Sequence, residues 1–464
     1  MEKFILRDYQ KEAVKAGLEI IKSKKNGLLV LPTASGKSLV IAEIVKKSGL
    51  KTIVLQPSVE ILKQNLEKLK AFGMKDIGIF SASMDEKTIG KVTVATIGSI
   101  SKHAARFKSF GLIIVDEADL VNSKGGQYEE LITSLGIPVI GTTATPYRMK
   151  YYINSFGNKE PVVESRILTR TRPRIFSTIN HITQIPDMFK MGYLSPLKYD
   201  IIGSYDSRKI KNNSTGQGYD DNSLISYNKD QDIVSKIVES VKASTANHIL
   251  VFTQFREESE SVIKELKKYN ITCKEISGES KKKERDDILK EFRSGKICVV
   301  NVGVLVAGYD FPELDHIIIG KPTKSLRLFT QICGRGLRVA KGKKHCLLSD
   351  LCDNVARFGE INSFVFEDIS GKGLWRLKSN KGYLTGVNLI TGMDLEANRN
   401  KITKKENAKE KSGEILIPFG KYNGTKLHKL DLDYMVWCAE NFDEENKWKS
   451  IFKNEIDRRR NGYK

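Results

Sequence analysis

The sequence predicts an α/β protein: two tandem, doubly wound lobes on parallel sheets, followed by a small C-terminal α+β module. Three observations carry this. Short continuous apolar runs, such as Gly27-Leu28-Leu29-Val30 and Leu112-Ile113-Ile114-Val115, read as strands buried on both faces of a parallel sheet. They alternate with amphipathic stretches at helical spacing, which implies a wound sheet with helices on its faces. The alternation occurs twice, and 464 residues exceed what one compact core holds. The expected boundaries are a first lobe over 1–195, a linker or insertion over 196–230, a second lobe over 231–368, a basic connector over 369–414 and an accessory module over 415–464.

A formal net charge of +21 points to a polyanionic partner, because each neutralised phosphate releases counterions. A basic surface kept for solubility is the alternative. Six cysteines are scattered without a CxxC pair, which reads as reduced thiols and excludes a disulfide framework or zinc site. Neither a signal-peptide h-region nor an apolar run approaching about 18 residues is present.

Leu6-Arg7-Asp8-Tyr9-Gln10 opens a helix whose apolar positions Ala13, Val14, Leu18 and Ile21 form its core face. Gln10 reads either as an adenine-edge reader or as a solvated side chain. The strand Gly27–Val30, the loop Leu31-Pro32-Thr33-Ala34-Ser35-Gly36-Lys37-Ser38 and the helix from Leu39 gather backbone N–H groups and a helix N-terminus around one point. Such a point suits a polyphosphate. Lys37 would reach the β and γ phosphates and Ser38 would place its hydroxyl on Mg²⁺. Leu31 stands where the usual phosphate-loop pattern has its first glycine, and a glycine turn before an amphipathic helix is the alternative reading.

Two further strands, Lys51–Pro57 and Lys91–Thr96, end in small hydroxyl-bearing loops. Ligands of α/β sheets bind at such carboxyl ends. Ser58, Thr96 and Ser99 therefore either hold a nucleic-acid backbone by neutral hydrogen bonds or cap helices. Gly111–Val115 runs into Asp116-Glu117-Ala118-Asp119, where Asp116 would bind Mg²⁺ and Glu117 would orient and deprotonate an attacking water. A strand from Ile137 then runs into Thr142-Thr143-Ala144-Thr145-Pro146. In the second half, Gln331, Arg335 and Arg338 recur at helical spacing and share one face. Planar guanidinium groups aimed at a γ-phosphate would stabilise transition-state charge, an effect of roughly 10³–10⁵ in rate in other NTPases.

A glutamine ahead of the phosphate loop, the Thr-Ala-Ser-Gly-Lys-Ser loop, the Asp-Glu-Ala-Asp box, the Thr-Ala-Thr-Pro turn, the loop Gly303–Pro312 and Gln-x-x-Gly-Arg-x-x-Arg occur in this order. Over residues 1–365 the set resembles the superfamily 2 helicases. The resemblance implies two RecA-like lobes with ATP and Mg²⁺ between them and DNA across both. It implies catalysis by Lys37, Asp116, Glu117, Gln331, Arg335 and Arg338, with Ser38 and Asp116 on the metal. Nucleotide contacts are expected at Arg7, Gln10, Thr33, Ala34, Ser35, Gly36, Lys37, Ser38, Gly308 and Asp310. Nucleic acid is expected against Pro57, Ser58, Thr96, Ser99, Thr253, Gln254, Asn301 and Val302, with Thr143 and Thr145 coupling the two sites.

The Thr-Ala-Thr-Pro-Tyr-Arg turn and the Gly-Tyr-Leu-Ser-Pro return are most similar to phage-encoded branch-migration DNA helicases. This implies unwinding or branch migration of forked or branched DNA, travelling 3′→5′, in replication, recombination or repair. It also implies a monomer in a bacterial or phage-infected cytoplasm, away from membranes and beside replication or recombination proteins. An RNA-remodelling ATPase and a duplex-DNA translocase that separates no strands stay open. Residues 371–412, with Trp375 and Tyr383, read as a basic nucleic-acid surface or a connector. Residues 415–464 resemble a small module appended to phage and bacterial nucleases, which implies a grip on DNA or a partner.

Overall fold

A computed structural model describes residues 5–153, 161–202, 205–295, 297–303, 310–396, 415–443 and 446–460. The chain divides into two units, Met1–Gly392 and Met393–Lys464.

The first unit begins with β1 (Gly27–Val30), β2 (Thr52–Gln56), β3 (Ile77–Ser81), β4 (Glu86–Lys87), β5 (Val92–Thr96), β6 (Leu112–Asp116) and β7 (Val139–Thr143). A hairpin of β8 (Tyr147–Ile153) and β9 (Pro161–Ile167) follows, and β10 (Thr178–Ile182) returns to the sheet. The order across this sheet is β10-β1-β7-β6-β2-β5-β3-β4. All neighbours are parallel except β3 and β4. Every residue of β1, β2, β6 and β7 is buried, as expected of apolar runs covered on both faces. Because β1 adjoins β7 and β7 adjoins β6, the loops that follow these three strands open at one point of the sheet edge.

The second sheet holds β11 (Leu197–Ile201), β12 (Ile249–Thr253), β13 (Cys273–Ser277), β14 (Cys298–Val302), β15 (His316–Gly320) and β16 (Cys346–Asp350). Its order is β11-β16-β15-β12-β14-β13, parallel throughout. One apolar cluster runs from Ala13, Val40 and Ile114 through Tyr147 and Leu197 to Phe252, Phe329 and Leu348, so both sheets share a core between them. Separate clusters cover the outer faces, around Phe107 and Val115 on the first sheet and Ile237 and Val300 on the second.

Three stretches differ from expectation. Residues 196–230, read as a linker, include β11, an edge strand of the second sheet, and the helix Asp221–Asp230. Residues between Tyr151 and Lys190, for which no strand or helix was expected, supply most of the hairpin, β10 and the helix Ile185–Lys190. Cys273 and Cys298, expected as free thiols, form a disulfide, because the parallel register of β13 and β14 sets them opposite one another.

Beyond the second sheet, β17 (Val365–Asp368), β18 (Trp375–Ser379) and β19 (Gly382–Tyr383) form an antiparallel sheet. This segment is fastened to the first lobe. The Gln184 amide donates to Phe366 O at 2.8 Å and accepts from Phe366 N at 3.0 Å. Leu389 N donates to Val163 O at 2.7 Å and Gly386 N to Ser165 O at 3.3 Å. The second unit has its own core, with Ile417, Met435, Cys438 and Phe452 buried among the helices Leu432–Asn441 and Lys447–Arg460.

Candidate nucleotide site between the lobes

The loop after β1 turns through left-handed Ala34 (φ 68°) and Gly36 (φ 77°) before the helix Lys37–Ser48 starts. Glycine suits position 36 doubly, since a Cβ there would stand 2.7 Å from Gln10 Nε2. The preceding helix, Asp8–Ser23, grips this loop. Tyr9 OH and Gln10 Nε2 both donate to Ser35 O, at 2.7 and 2.8 Å, and Gln10 Oε1 accepts from Arg7 N at 2.9 Å. Gln10, expected at an adenine edge, thus spends both ends of its amide on the chain. The Arg7 guanidinium lies 3.9 Å from the centre of the Tyr193 ring.

Lys37 Nζ reaches Glu117 Oε1 at 2.5 Å. Asp116, at the end of β6, is buried, and both of its carboxylate oxygens accept hydrogen bonds. Its Oδ1 accepts from Thr142 Oγ1 and Glu117 N, each at 3.0 Å, and its Oδ2 from Asn65 Nδ2 at 3.1 Å. Burial pushes the Asp116 carboxyl above its ordinary range, against the pull of Lys37. Burial acts on Glu117 in the same sense, but contact with Lys37, with Arg327 and Arg335 near, holds that carboxyl below its ordinary range. Glu117 sits at a left-handed φ of 52°, which turns it out of the strand direction.

The second lobe contributes the helix Leu326–Gly336, capped by Ser325 Oγ accepting from Leu328 N. Gln331 and Arg335 are buried on it, and Arg338 pairs with Asp310 at 2.6 Å just beyond it. Burial, with Arg338 beside it, pushes Arg335 down to about 9. The helix sits directly on the phosphate loop, since a Cβ at Gly334 would stand 2.7 Å from Thr33 Cβ. Together the lobes line a cleft of about 500 Å³ with Arg7, Thr33, Ala34, Gly36, Lys37, Ser38, Asp116, Glu117, Asp310, Gln331, Arg335 and Arg338. Gly308 lies outside the described residues.

The residues expected to meet nucleic acid fall into two pairs of adjacent strand ends, β2 beside β5 and β12 beside β14. Their side chains divide. Thr253 and Asn301 are buried, so they support the strand ends from within. Thr96 Oγ1 and Ser99 Oγ bond each other at 3.0 Å, and Ser58 Oγ caps the helix Val59–Ala71. Pro57, Gln254 and Val302 are half-exposed. Thr143 and Thr145 are buried beneath the β7 turn, where Thr143 Oγ1 donates to Asp119 Oδ1 at 2.7 Å.

Three residues of this site carried no expectation. Asn65 bonds Asp116, Asp119 pairs with Arg327 of the other lobe, and Arg327 opens the arginine-bearing helix. The fourth place of the Asp-Glu-Ala-Asp box and the basic residue one turn before Gln331 were the signals available.

The cleft fits a magnesium nucleotide. Ser35 Oγ is buried in the loop without a hydrogen-bond partner, Gly36 lines the cleft without a side chain, and Lys37, Ser38 and Asp116 supply the charge and oxygen donors. Among the described residues, no group of three or more His, Cys, Asp or Glu is placed to hold a metal by itself. No helix among these residues is long and apolar enough to cross a membrane.

Comparison with known proteins bears on the same residues. Residues 3–148 match the family described as type III restriction enzyme, res subunit, and residues 230–340 match the helicase conserved C-terminal domain. A 51.5 kDa protein of a Lactococcus phage is 27% identical over 332 residues, 70% of this chain and 64% of that protein. The DNA 3′-5′ translocase XPB2 of Sulfurisphaera tokodaii is 27% identical over 379 residues, 75% of this chain and 82% of that protein. The solved ATP-dependent type ISP restriction-modification enzyme LlaBIII bound to DNA shares the fold, with a TM-score of 0.57 and 16% identity. The match covers 76% of this chain and 28% of that one. Three of the curated relatives are matched over only 51% to 64% of their own length.

Proposed function

The chain belongs to the superfamily 2 helicases, and on that premise we propose that it is an ATP-driven DNA motor acting on forked or branched DNA and moving 3′→5′. The observation that carries this reading is the convergence of Lys37, Glu117 and Arg335, from three distant sequence positions and both lobes, on one cleft.

Bound there, the magnesium nucleotide supplies the phosphoanhydride whose hydrolysis drives the motor. Lys37 exchanges its partner, leaving Glu117 for a phosphate oxygen and so freeing that carboxylate to take a proton from water. Ser38 and Asp116 would hold the cation, with Asn65 and Thr142 fixing the Asp116 carboxylate. Arg335 and Arg338 meet the charge that develops on the transferred phosphoryl group, in a site whose burial magnifies the interaction. Because these two arginines belong to the second lobe, each hydrolytic cycle changes what holds the lobes together. The paired strand ends of both lobes, and a net charge of +21, give a nucleic-acid backbone a track across that moving joint. The similarity to a named DNA 3′-5′ translocase supports both the substrate and the direction.

The test is strand separation on matched forked DNA and RNA carrying 3′ or 5′ tails, with the intact protein and Lys37→Ala. Opening of 3′-tailed DNA forks, lost together with ATP hydrolysis by roughly 100-fold or more in Lys37→Ala, is the expected result. Hydrolysis without opening of any DNA fork would move the reading to a duplex translocase, or to RNA remodelling if the RNA substrates open.

A further inference from the structure

Beside the nucleotide cleft, the seam between the lobes carries a second polar chain. The Asp119 side chain has no solvent exposure, so its carboxylate needs compensation. It receives this from both lobes. Thr143 Oγ1 donates to Oδ1 at 2.7 Å, and Thr145 N donates in turn to Thr143 Oγ1 at 3.0 Å. From the opposite lobe, Arg327 Nε donates to Asp119 Oδ2. Tyr147 OH and Thr330 Oγ1, buried and 2.9 Å apart, close the same seam one turn further along.

Arg327 opens the helix Leu326–Gly336, and Gln331 and Arg335 follow four and eight residues later on the same face. A rise of 1.5 Å per residue carries Arg335 about 12 Å along the axis from Arg327. One end of a stiff rod is therefore pinned to the Thr143–Asp119 chain, and the other end lines the cleft beside Glu117.

We propose that Arg327 is a positioning residue whose docking on Asp119 sets the depth and rotation of the arginine-bearing helix, and with them where Arg335 stands. The inference rests on the ATPase reading above. Parting of the lobes would strip Asp119 of its cation and leave a buried carboxylate, so the pair favours the seated helix. Thr143 holds the other oxygen of the same carboxylate, and a movement of the turn reaches Arg327 through two hydrogen bonds. Arg327 itself does not line the nucleotide cleft.

The experiment is steady-state ATP hydrolysis by the full chain with saturating forked DNA. It is run on the wild type, Arg327→Gln, Arg327→Lys, Asp119→Asn and the double variant Asp119→Asn/Arg327→Gln. Arg327→Gln is expected to lower kcat about 10-fold while KM for ATP and the Kd for DNA stay within about twofold. Arg327→Lys keeps the charge and is expected to recover to within about threefold of wild type. The double variant is expected to be no worse than the poorer single one, since the pair acts as a unit. Wild-type kcat in Arg327→Gln overturns the proposal, and so does a fall in which KM and DNA affinity move equally. If Arg327→Gln does not fold, Asp119→Asn removes the charge on which Arg327 docks; unchanged kcat there overturns the proposal as well. A wild-type chain that hydrolyses no ATP overturns the functional reading and this one together. An active wild type with an indifferent Arg327 overturns this one alone.

Discussion

Each ring nitrogen of His316 faces a serine hydroxyl, Ser244 Oγ at 2.7 Å on Nδ1 and Ser349 Oγ at 3.0 Å on Nε2. Ser349 Oγ in turn reaches Asp200 Oδ2 at 3.3 Å, which ties β15, β16 and the edge strand β11 together. A neutral imidazole satisfies both serines, whereas a charged one would lose an acceptor. Burial pushes the ring down to about 4, against the opposite pull of Asp315 and Asp200. The unfolded chain takes up its proton near pH 6.5, and the folded lobe refuses it until about pH 4. Stability is therefore full above pH 6.5 and is lost as pH falls through that window, by roughly 3 kcal/mol at most. The urea midpoint of the wild type is expected to fall more steeply between pH 7 and pH 5 than that of His316→Gln, and parallel profiles would refute the assignment. At this scale the sequence was legible wherever meaning is local. Lys37 follows a glycine at a strand–helix turn, and Asp116 and Glu117 end an apolar run. It was not legible where meaning lies in a partner: Asn65 is defined by a residue 51 positions away, Asp119 by one 24 away and Arg327 by one 208 away. Ser58, Thr96 and Ser99 show the converse, since hydroxyls read as backbone donors are partly spent on caps and on one another.

Among the elements, the helix Leu326–Gly336 decides whether the two lobes form one site. Its periodicity announced a shared face for Gln331, Arg335 and Arg338, but not that Gly334 packs against Thr33 of the phosphate loop. Thr33 is β-branched and held in a tight turn, so a methyl group arriving 2.7 Å from its Cβ has nowhere to go without moving the helix or the loop. Gly334→Ala is accordingly expected to lower the ATPase kcat by about 10-fold or more, in line with the cost of misplacing catalytic groups by about 1 Å. An unchanged kcat in Gly334→Ala would show that the helix does not seat on the loop during turnover. Central strands were easy to read, because burial on both faces leaves them uniformly apolar. The edge strands β10 and β11 were not. Lys198, Asp200 and Ile201 in β11 are exposed, so the strand carries mixed polarity and blends into the polar stretch after it. The hairpin of β8 and β9 is equally mixed, with buried Glu164 compensated by Arg166 and by Tyr152 OH at 3.1 Å.

The whole molecule poses the question of where the motor ends. Composition suggested a connector from residue 369 onward, yet Phe366, Gly386, Asn388 and Leu389 all hydrogen-bond to the first lobe, at Gln184, Pro161, Val163 and Ser165. Phe364, Phe366, Leu377 and Leu384 extend the core that the two sheets share. A strap that starts beyond the second sheet and ends on the first lobe is invisible to local patterning, because each of its bonds spans about 180 residues or more. Two truncations separate the strap from the accessory unit. A chain ending at Gly392 keeps every one of these contacts and sheds only the second unit, which has its own core around Met435 and Phe452. It is expected to retain the thermal midpoint within about 2 °C and DNA-free ATP hydrolysis within about twofold. A chain ending at Phe364 loses six hydrogen bonds to the first lobe, worth about 1 kcal/mol each, together with the apolar packing of Leu377 and Leu384. Its midpoint is expected to drop by several degrees. If both truncations melt like the full chain, the strap contributes nothing to holding the lobes. If the chain ending at Gly392 melts as early as the shorter one, stability comes from the second unit instead.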